Sequence, residues 1–147
     1  MRVLSKRDVQ ALLPHGESMC LLDAVEQWDA VSITCRTRSH RDEGNPLRRD
    51  GRLGIAAGLE YAAQAMGVHV GLLIGDRSSG GRIGYVGALR EVVWQCERLD
   101  DLPDDVFVEA TRLLDATDRF MYRFTVTSSG RIIMEGRASL FLKQPAA

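Results

Sequence analysis

Histidine is scarce in this chain of 147 residues, with three copies: His15, His40 and His69. Any chemistry that needs an imidazole at neutral pH has only these to draw on. Cysteine is equally sparse. Cys20, Cys35 and Cys96 are widely spaced and form no CxxC pair, a pattern that offers neither a zinc site nor an even disulfide set. No metal and no other cofactor is expected, and a reducing cytoplasm is the expected compartment. A charge excess of one sign is missing too. The 19 Lys and Arg against 20 Asp and Glu give a formal net charge of -1, which speaks against nucleic acid or a membrane surface as the main partner. The amino terminus, with Arg2, Lys6, Arg7 and Asp8, lacks the uninterrupted apolar core of a secretory signal. Residues 53–74 are the longest nearly uncharged stretch. Glu60, Gln64, His69 and several Gly and Ala make it too polar for a membrane span, and it is expected to be a buried helix of a soluble protein.

What is present suits one domain over residues 1–147, with 45% apolar and 27% charged residues. Ser5 and Asp8 have the spacing of a capping box, and Val9, Leu12 and Leu13 make a short apolar stripe before Pro14 stops the helix. Met19 to Val25 is apolar enough for a strand. Val31, Ile33 and Cys35 then alternate with Ser32, Thr34 and Arg36, which completes a first hairpin. Gly44, Pro46 and Gly51 mark a loop leading into the long helix, and residues 76–82 read as a flexible connection after it. Strand periodicity follows. Val86, Ala88, Val92, Trp94 and Cys96 share one face; Val106, Val108 and Ala110 begin the next run; Phe120, Tyr122, Phe124 and Val126 form a third. Ser128-Ser129-Gly130 turns the chain into Ile132, Met134, Ala138, Leu140 and Leu142. The order implies an α+β domain whose antiparallel sheet packs its apolar face on the long helix. A helix apolar on nearly all sides needs cover all round, which a curved sheet supplies in part and a second copy completes.

Glu60 is the single acid or base of the Lys, Arg, Asp and Glu types in residues 53–74. Burying a carboxylate costs several kcal/mol unless it is paired or protonated, so Glu60 has either a structural partner or a chemical task. Gln64, one turn on, shares its helix face and is placed to orient it. His69, nine residues on, falls about 180° around the helix and reads as a packed or interface histidine. His40 reads as a solvated loop residue. Arg48, Arg49 and Arg52 cluster before the helix, either as a solvated loop around Asp50 or as a basic patch whose arginine forks suit an acidic or phosphate-bearing partner. Trp28 and Trp94 read as core or interface aromatics.

Three motifs in order then resemble one family. Leu13-Pro14-His15 followed by Met19-Cys20-Leu21-Leu22-Asp23-Ala24-Val25, Leu59-Glu60-Tyr61-Ala62-Ala63-Gln64-Ala65, and Tyr85-Val86-Gly87-Ala88-Leu89-Arg90-Glu91-Val92 are similar to elements of the hotdog-fold 3-hydroxyacyl-(acyl carrier protein) dehydratase superfamily. The spelling is nearest to divergent dehydratase-like members found with aryl polyene and related lipid-synthesis genes. The resemblance implies a hotdog fold, an antiparallel sheet wrapped around a long central α-helix, in a dimer or higher oligomer. It also implies acyl-thioester chemistry in fatty acid or polyketide-type lipid biosynthesis, on an acyl carrier protein or coenzyme A substrate. In such enzymes a histidine removes the α-proton while the helix carboxylate, here Glu60, helps the β-hydroxyl leave as water. Backbone N–H groups at the helix start polarise the thioester carbonyl, in this chain within Gly54 to Gly58. Gly54, Ala56, Ala57 and Gly58 would admit a thioester arm or serve tight packing, and Gln64 and Gly87 complete the substrate-binding expectation.

One departure stands out. The family's His-Phe-Pro-Gly-x-Pro motif is absent, and the position about fourteen residues before Glu60, where its histidine acts as base, is Pro46. His15 matches the Leu-Pro-His element and is the candidate second group, with a local hydrogen-bonding role as its other reading. Three functions remain open: a dehydratase or hydratase using Glu60 and His15, a thioesterase in which Glu60 activates water or attacks the acyl carbon, and a partner subunit that completes a site with a histidine-bearing hotdog protein.

Overall fold

The computed structural model describes residues 3–13, 19–74, 84–115 and 119–142. Helix α1, Lys6–Leu12, starts at the predicted capping box: the Asp8 N–H donates to Ser5 Oγ at 3.4 Å and the Ser5 N–H to Asp8 Oδ2 at 3.1 Å. Strands β1 (Ala24–Trp28) and β2 (Ser32–Thr37) form the first hairpin. The long helix α2, Ala57–Ile74, follows the loop after β2. Strands β3 (Gly84–Trp94), β4 (Val106–Asp115), β5 (Arg119–Ser128) and β6 (Arg131–Leu142) come next. All six strands join one antiparallel sheet in the order β1-β2-β4-β5-β6-β3. The α+β hotdog expectation therefore describes the fold.

Strict alternation drives the sheet onto the helix. On β5, Phe120, Tyr122, Phe124 and Val126 are buried while Arg119 and Arg123 are exposed, so one face meets α2 and the other meets solvent. Tyr61, Ala62, Ala65, Met66 and His69 of α2 are buried with them. Helix α1 covers part of what the sheet leaves: the Leu12 and Leu13 side chains lie 3.5 and 3.7 Å from where a Cβ on Gly71 and Gly67 would stand. Ser129 (φ 54°) and Gly130 (φ 74°) both take left-handed backbone between β5 and β6, the pairing whose twist suits a tight hairpin.

Several boundaries move for tertiary reasons. Helix α2 starts at Ala57 rather than 53, because residues 53–55 pair with the chain beyond β3: the Leu99 N–H donates to Leu53 O at 2.7 Å and the Ile55 N–H to Glu97 O at 2.9 Å. The first strand starts at Ala24 rather than Met19. On β3, bulges between Val86 and Ala88 and between Arg90 and Val93, with Glu91 at φ 54°, break the single alternating face expected there. Trp94 consequently stands 55% exposed on the edge strand, not in the core, whereas Trp28 packs against the core. Pro14 and the 76–82 connection lie outside the described residues. No described helix is long and apolar enough to cross a membrane.

Gly87 is at the first β3 bulge, and a Cβ there would stand 2.3 Å from Phe141 Cε2. The glycine makes room for a cross-strand aromatic ring, which gives it a packing role. Gly87→Ala must displace that ring and is expected to destabilise the protein by about 1–3 kcal/mol in urea unfolding. Gly54→Ala, with nothing within 4 Å of the new Cβ, is the control and is expected to stay within about 0.5 kcal/mol of the parent.

Candidate functional site

Glu60 lies in the first turn of α2, half-buried, and its Oε1 accepts a hydrogen bond from Gln64 Nε2 at 3.1 Å. Gln64 is buried to 1% exposure and has no freedom to turn. Its Oε1 accepts the Leu21 N–H at 2.8 Å, and its Nε2 also donates to Met19 O at 2.7 Å. A backbone N–H can only donate and a carbonyl only accept, so the amide orientation is forced, and one N–H is left aimed at Glu60. The predicted orienting contact between Gln64 and Glu60 is thus present, held from the segment that enters β1.

A second polar cluster fixes the loop before α2. Thr37 Oγ1 and Ser39 Oγ reach Leu21 O at 2.5 and 2.6 Å, and Ser39 Oγ lies 2.7 Å from the Tyr61 hydroxyl. Because the Ser39 proton goes to Leu21 O, Tyr61 donates to Ser39, and Asn45 Nδ2 donates to Tyr61 Oη at 3.1 Å. Burial raises the Tyr61 pKa, which keeps the phenol a donor. Leu21 therefore carries the Glu60 support on its N–H and the loop support on its carbonyl. The sequence reading did not find this cluster; an Asn-Pro pair and a tyrosine beside the acid are its faint local signal.

The helix start offers fewer open donors than expected. The N–H groups of Ile55, Ala57 and Gly58 donate to Glu97 O, Gly54 O and Ile55 O, which leaves those of Gly54 and Ala56 without a backbone acceptor among the described residues. Ala56 and Gly54 are exposed and Ala57 half-buried. Gly58 is buried, and a Cβ on it would stand 3.1 Å from Met134 Sδ, so its small size lets the helix approach β6. Arg48 is part of the loop's own structure, donating to Asp42 O and Gly51 O.

The hydrogen bonds of both described histidines go to groups other than Glu60. His69 is fully buried on the far side of α2, with Nδ1 2.7 Å from the Tyr122 hydroxyl and Nε2 2.7 Å from Asp29 O, the packed position its spacing implies. His40 corrects the sequence reading. It is fully buried, not solvated, with Nε2 3.1 Å from Leu102 O and no partner for Nδ1 among the described residues. Desolvation is the main cause that holds both imidazoles below their ordinary pKa. His15 lies outside the described residues. Burial pushes the Cys35 thiol up to about 12 and raises Cys20 and Cys96 as well, so the cysteines are poor nucleophiles at neutral pH. Among the described residues no cluster of His, Cys, Asp and Glu is arranged to hold a metal.

Comparison with solved structures places this geometry in a known fold. The chain superposes on a chain of the dehydratase heterocomplex ApeI:P from Xenorhabdus doucetiae with a TM-score of 0.81 and 23% identity, covering 92% of this chain and 91% of that one. It also superposes on a mutant of thioesterase PA1618 from Pseudomonas aeruginosa, with a TM-score of 0.68 and 12% identity over 97% and 95% of the two chains. Thioesterase HI1161 of Haemophilus influenzae gives 0.67 and 10% over 96% and 92%. No curated protein sequence matches significantly. A family model described as ApeP dehydratase matches residues 7–147, and the chain belongs to that ApeP-like dehydratase family.

Proposed function

We propose that this chain supplies the carboxylate half of a 3-hydroxyacyl-thioester dehydratase whose base is the histidine of a second hotdog chain. In that reaction the partner's imidazole takes the α-proton, the Glu60 carboxyl gives a proton to the departing β-hydroxyl, and an enoyl thioester and water result. The observation that carries the reading is that both described histidines direct their hydrogen bonds to groups other than Glu60, together with Pro46 where the usual base stands. A solved structure to which the chain is similar is a dehydratase heterocomplex, which supports a two-chain site.

The edge strand β3 is the surface for that partner. Leu89, Val93 and Trp94 are 43%, 48% and 55% exposed there, and an open edge with apolar side chains is a template for a second chain. The Ile55–Glu97 and Leu53–Leu99 hydrogen bonds tie the start of α2 to the chain just beyond β3. A partner paired on β3 thus comes near the helix end that carries Glu60. The acyl group arrives on coenzyme A or an acyl carrier protein, in a cytoplasmic lipid-synthesis setting.

The test compares water addition to a trans-2-enoyl thioester by the purified chain, by a hotdog protein containing His-Phe-Pro-Gly, and by the two co-expressed. Activity that depends on co-expression and survives His15→Ala supports the two-chain site. Full activity from the chain alone, lost in His15→Ala, assigns the base to His15 and overturns it. Release of free thiol without water addition marks a thioesterase instead.

A further inference from the structure

Away from Glu60, a cleft of about 310 Å³ opens between α1, the end of β2 and the turn that follows, lined by Lys6, Asp23, Arg38, Ser39, Arg41 and Asp42. Three cations face two carboxylates, a net charge of +1. One of the acids is already engaged by the fold: Asp23 Oδ1 is 3.4 Å from Lys6 Nζ, and its Oδ2 accepts the Arg38 N–H at 2.7 Å. The guanidinium groups of Arg38 and Arg41 are exposed, and among the described residues no hydrogen bond or ion pair engages either. Two unengaged planar forks on one concave surface are suited to a group with several acceptor oxygens. The volume lies at the small end of ligand clefts and exceeds what a single carboxylate needs.

We infer that this cleft holds a phosphate group of the thioester carrier, from either coenzyme A or the phosphodiester of a carrier protein's arm. The inference rests on the acyl-thioester reading above. The cleft is coupled to the site through one residue: Ser39 in its wall donates to Leu21 O, and the Leu21 N–H donates to Gln64, which holds Glu60. Anchoring the carrier here therefore registers it against the same segment that positions the acid. Asp42 offsets part of the positive charge, so binding is of moderate strength and weakens with salt.

The test is the double variant Arg38→Ala/Arg41→Ala in the complete two-chain enzyme, with KM measured for a coenzyme A thioester, a carrier-protein thioester and a phosphate-free N-acetylcysteamine thioester. The expected result is a rise in KM of about tenfold for the phosphate-bearing substrate, as for loss of charge-assisted hydrogen bonds, while the phosphate-free thioester does not follow. A rise confined to coenzyme A or to the carrier protein identifies the source. The control, Arg119→Ala/Arg123→Ala, removes the same charge from the solvent face of β5, away from the partner edge. Equal effects of the two pairs, an equal rise for the phosphate-free substrate, or no rise at all overturns the inference. If no substrate turns over, the two-chain reading has failed, and the cleft is read by titrating coenzyme A and a holo carrier protein into the protein. Binding lost in Arg38→Ala/Arg41→Ala supports the cleft; binding unchanged, or none to the parent, overturns it.

Discussion

Glu60→Gln is expected to lower kcat of the two-chain enzyme by about 10²–10⁴-fold, the usual contribution of one positioned acid or base. The substitution keeps the size of the side chain, and the new amide oxygen still accepts from Gln64 Nε2, so the support that runs from Gln64 to Met19 and Leu21 survives. Half-burial of the residue adds no cavity. Thermal unfolding of the variant should therefore match the parent while turnover is lost. KM should change little, because the group acts on the departing hydroxyl and not on the carrier. Mixing the variant with a histidine-bearing partner should leave the complex assembled and inactive. A fully active complex containing Glu60→Gln would remove Glu60 from the chemistry and leave Gln64 and its contacts as helix anchoring alone.

Where local pattern decides structure, the sequence was readable. The Ser5–Asp8 cap, the alternation of Phe120, Tyr122, Phe124 and Val126, and the Ser129–Gly130 turn each involve residues a few positions apart. The i,i+4 contact of Glu60 and Gln64 was readable for the same reason. The misreadings all come from distant chain. His40 sits in a polar segment and is buried because the stretch that runs into β4 covers it, with Leu102 O as partner across 62 positions. Small residues continue smoothly from Gly54 to Gly58, so nothing local shows that Leu53 and Ile55 leave the helix to pair with Glu97 and Leu99. Bulges in β3 turn Trp94 outward, and a two-residue period carries no sign of a bulge. The Tyr61–Ser39–Asn45 cluster joins three segments through polar groups that each look like ordinary surface chemistry in the sequence.

His69→Ala is expected to destabilise the protein by about 3 kcal/mol or more, a fall in Tm of roughly 10 °C for a domain of this size. Asp29 O can only accept, so His69 Nε2 carries the proton and the neutral ring takes the Tyr122 hydroxyl proton on Nδ1. Asp29 is itself held by its own turn, its Oδ1 accepting the N–H groups of Val31 and Ser32 at 2.8 Å. The imidazole thus links α2, β5 and the β1–β2 turn, and removing it leaves a cavity and takes one partner each from the Tyr122 hydroxyl and the Asp29 carbonyl. Tyr122→Phe keeps the ring and removes the hydrogen bond to His69, so the expected cost of that loss is near 1 kcal/mol. The pH dependence has a definite sign. Desolvation lowers the folded pKa of His69, helped by Arg112 and opposed by the contact with Asp29, so the unfolded chain binds more protons below about pH 6.5. This contribution is whole above that pH and is lost as pH falls from there through the folded pKa. His40, whose pKa burial also lowers, contributes with the same sign. Urea unfolding at pH 8 and pH 5 should show the parent losing stability on acidification and His69→Ala losing less of it. Equal losses in the two proteins, or a destabilisation below about 1 kcal/mol at pH 8, would mean that the Tyr122–His69–Asp29 bridge is not what holds α2 to the sheet.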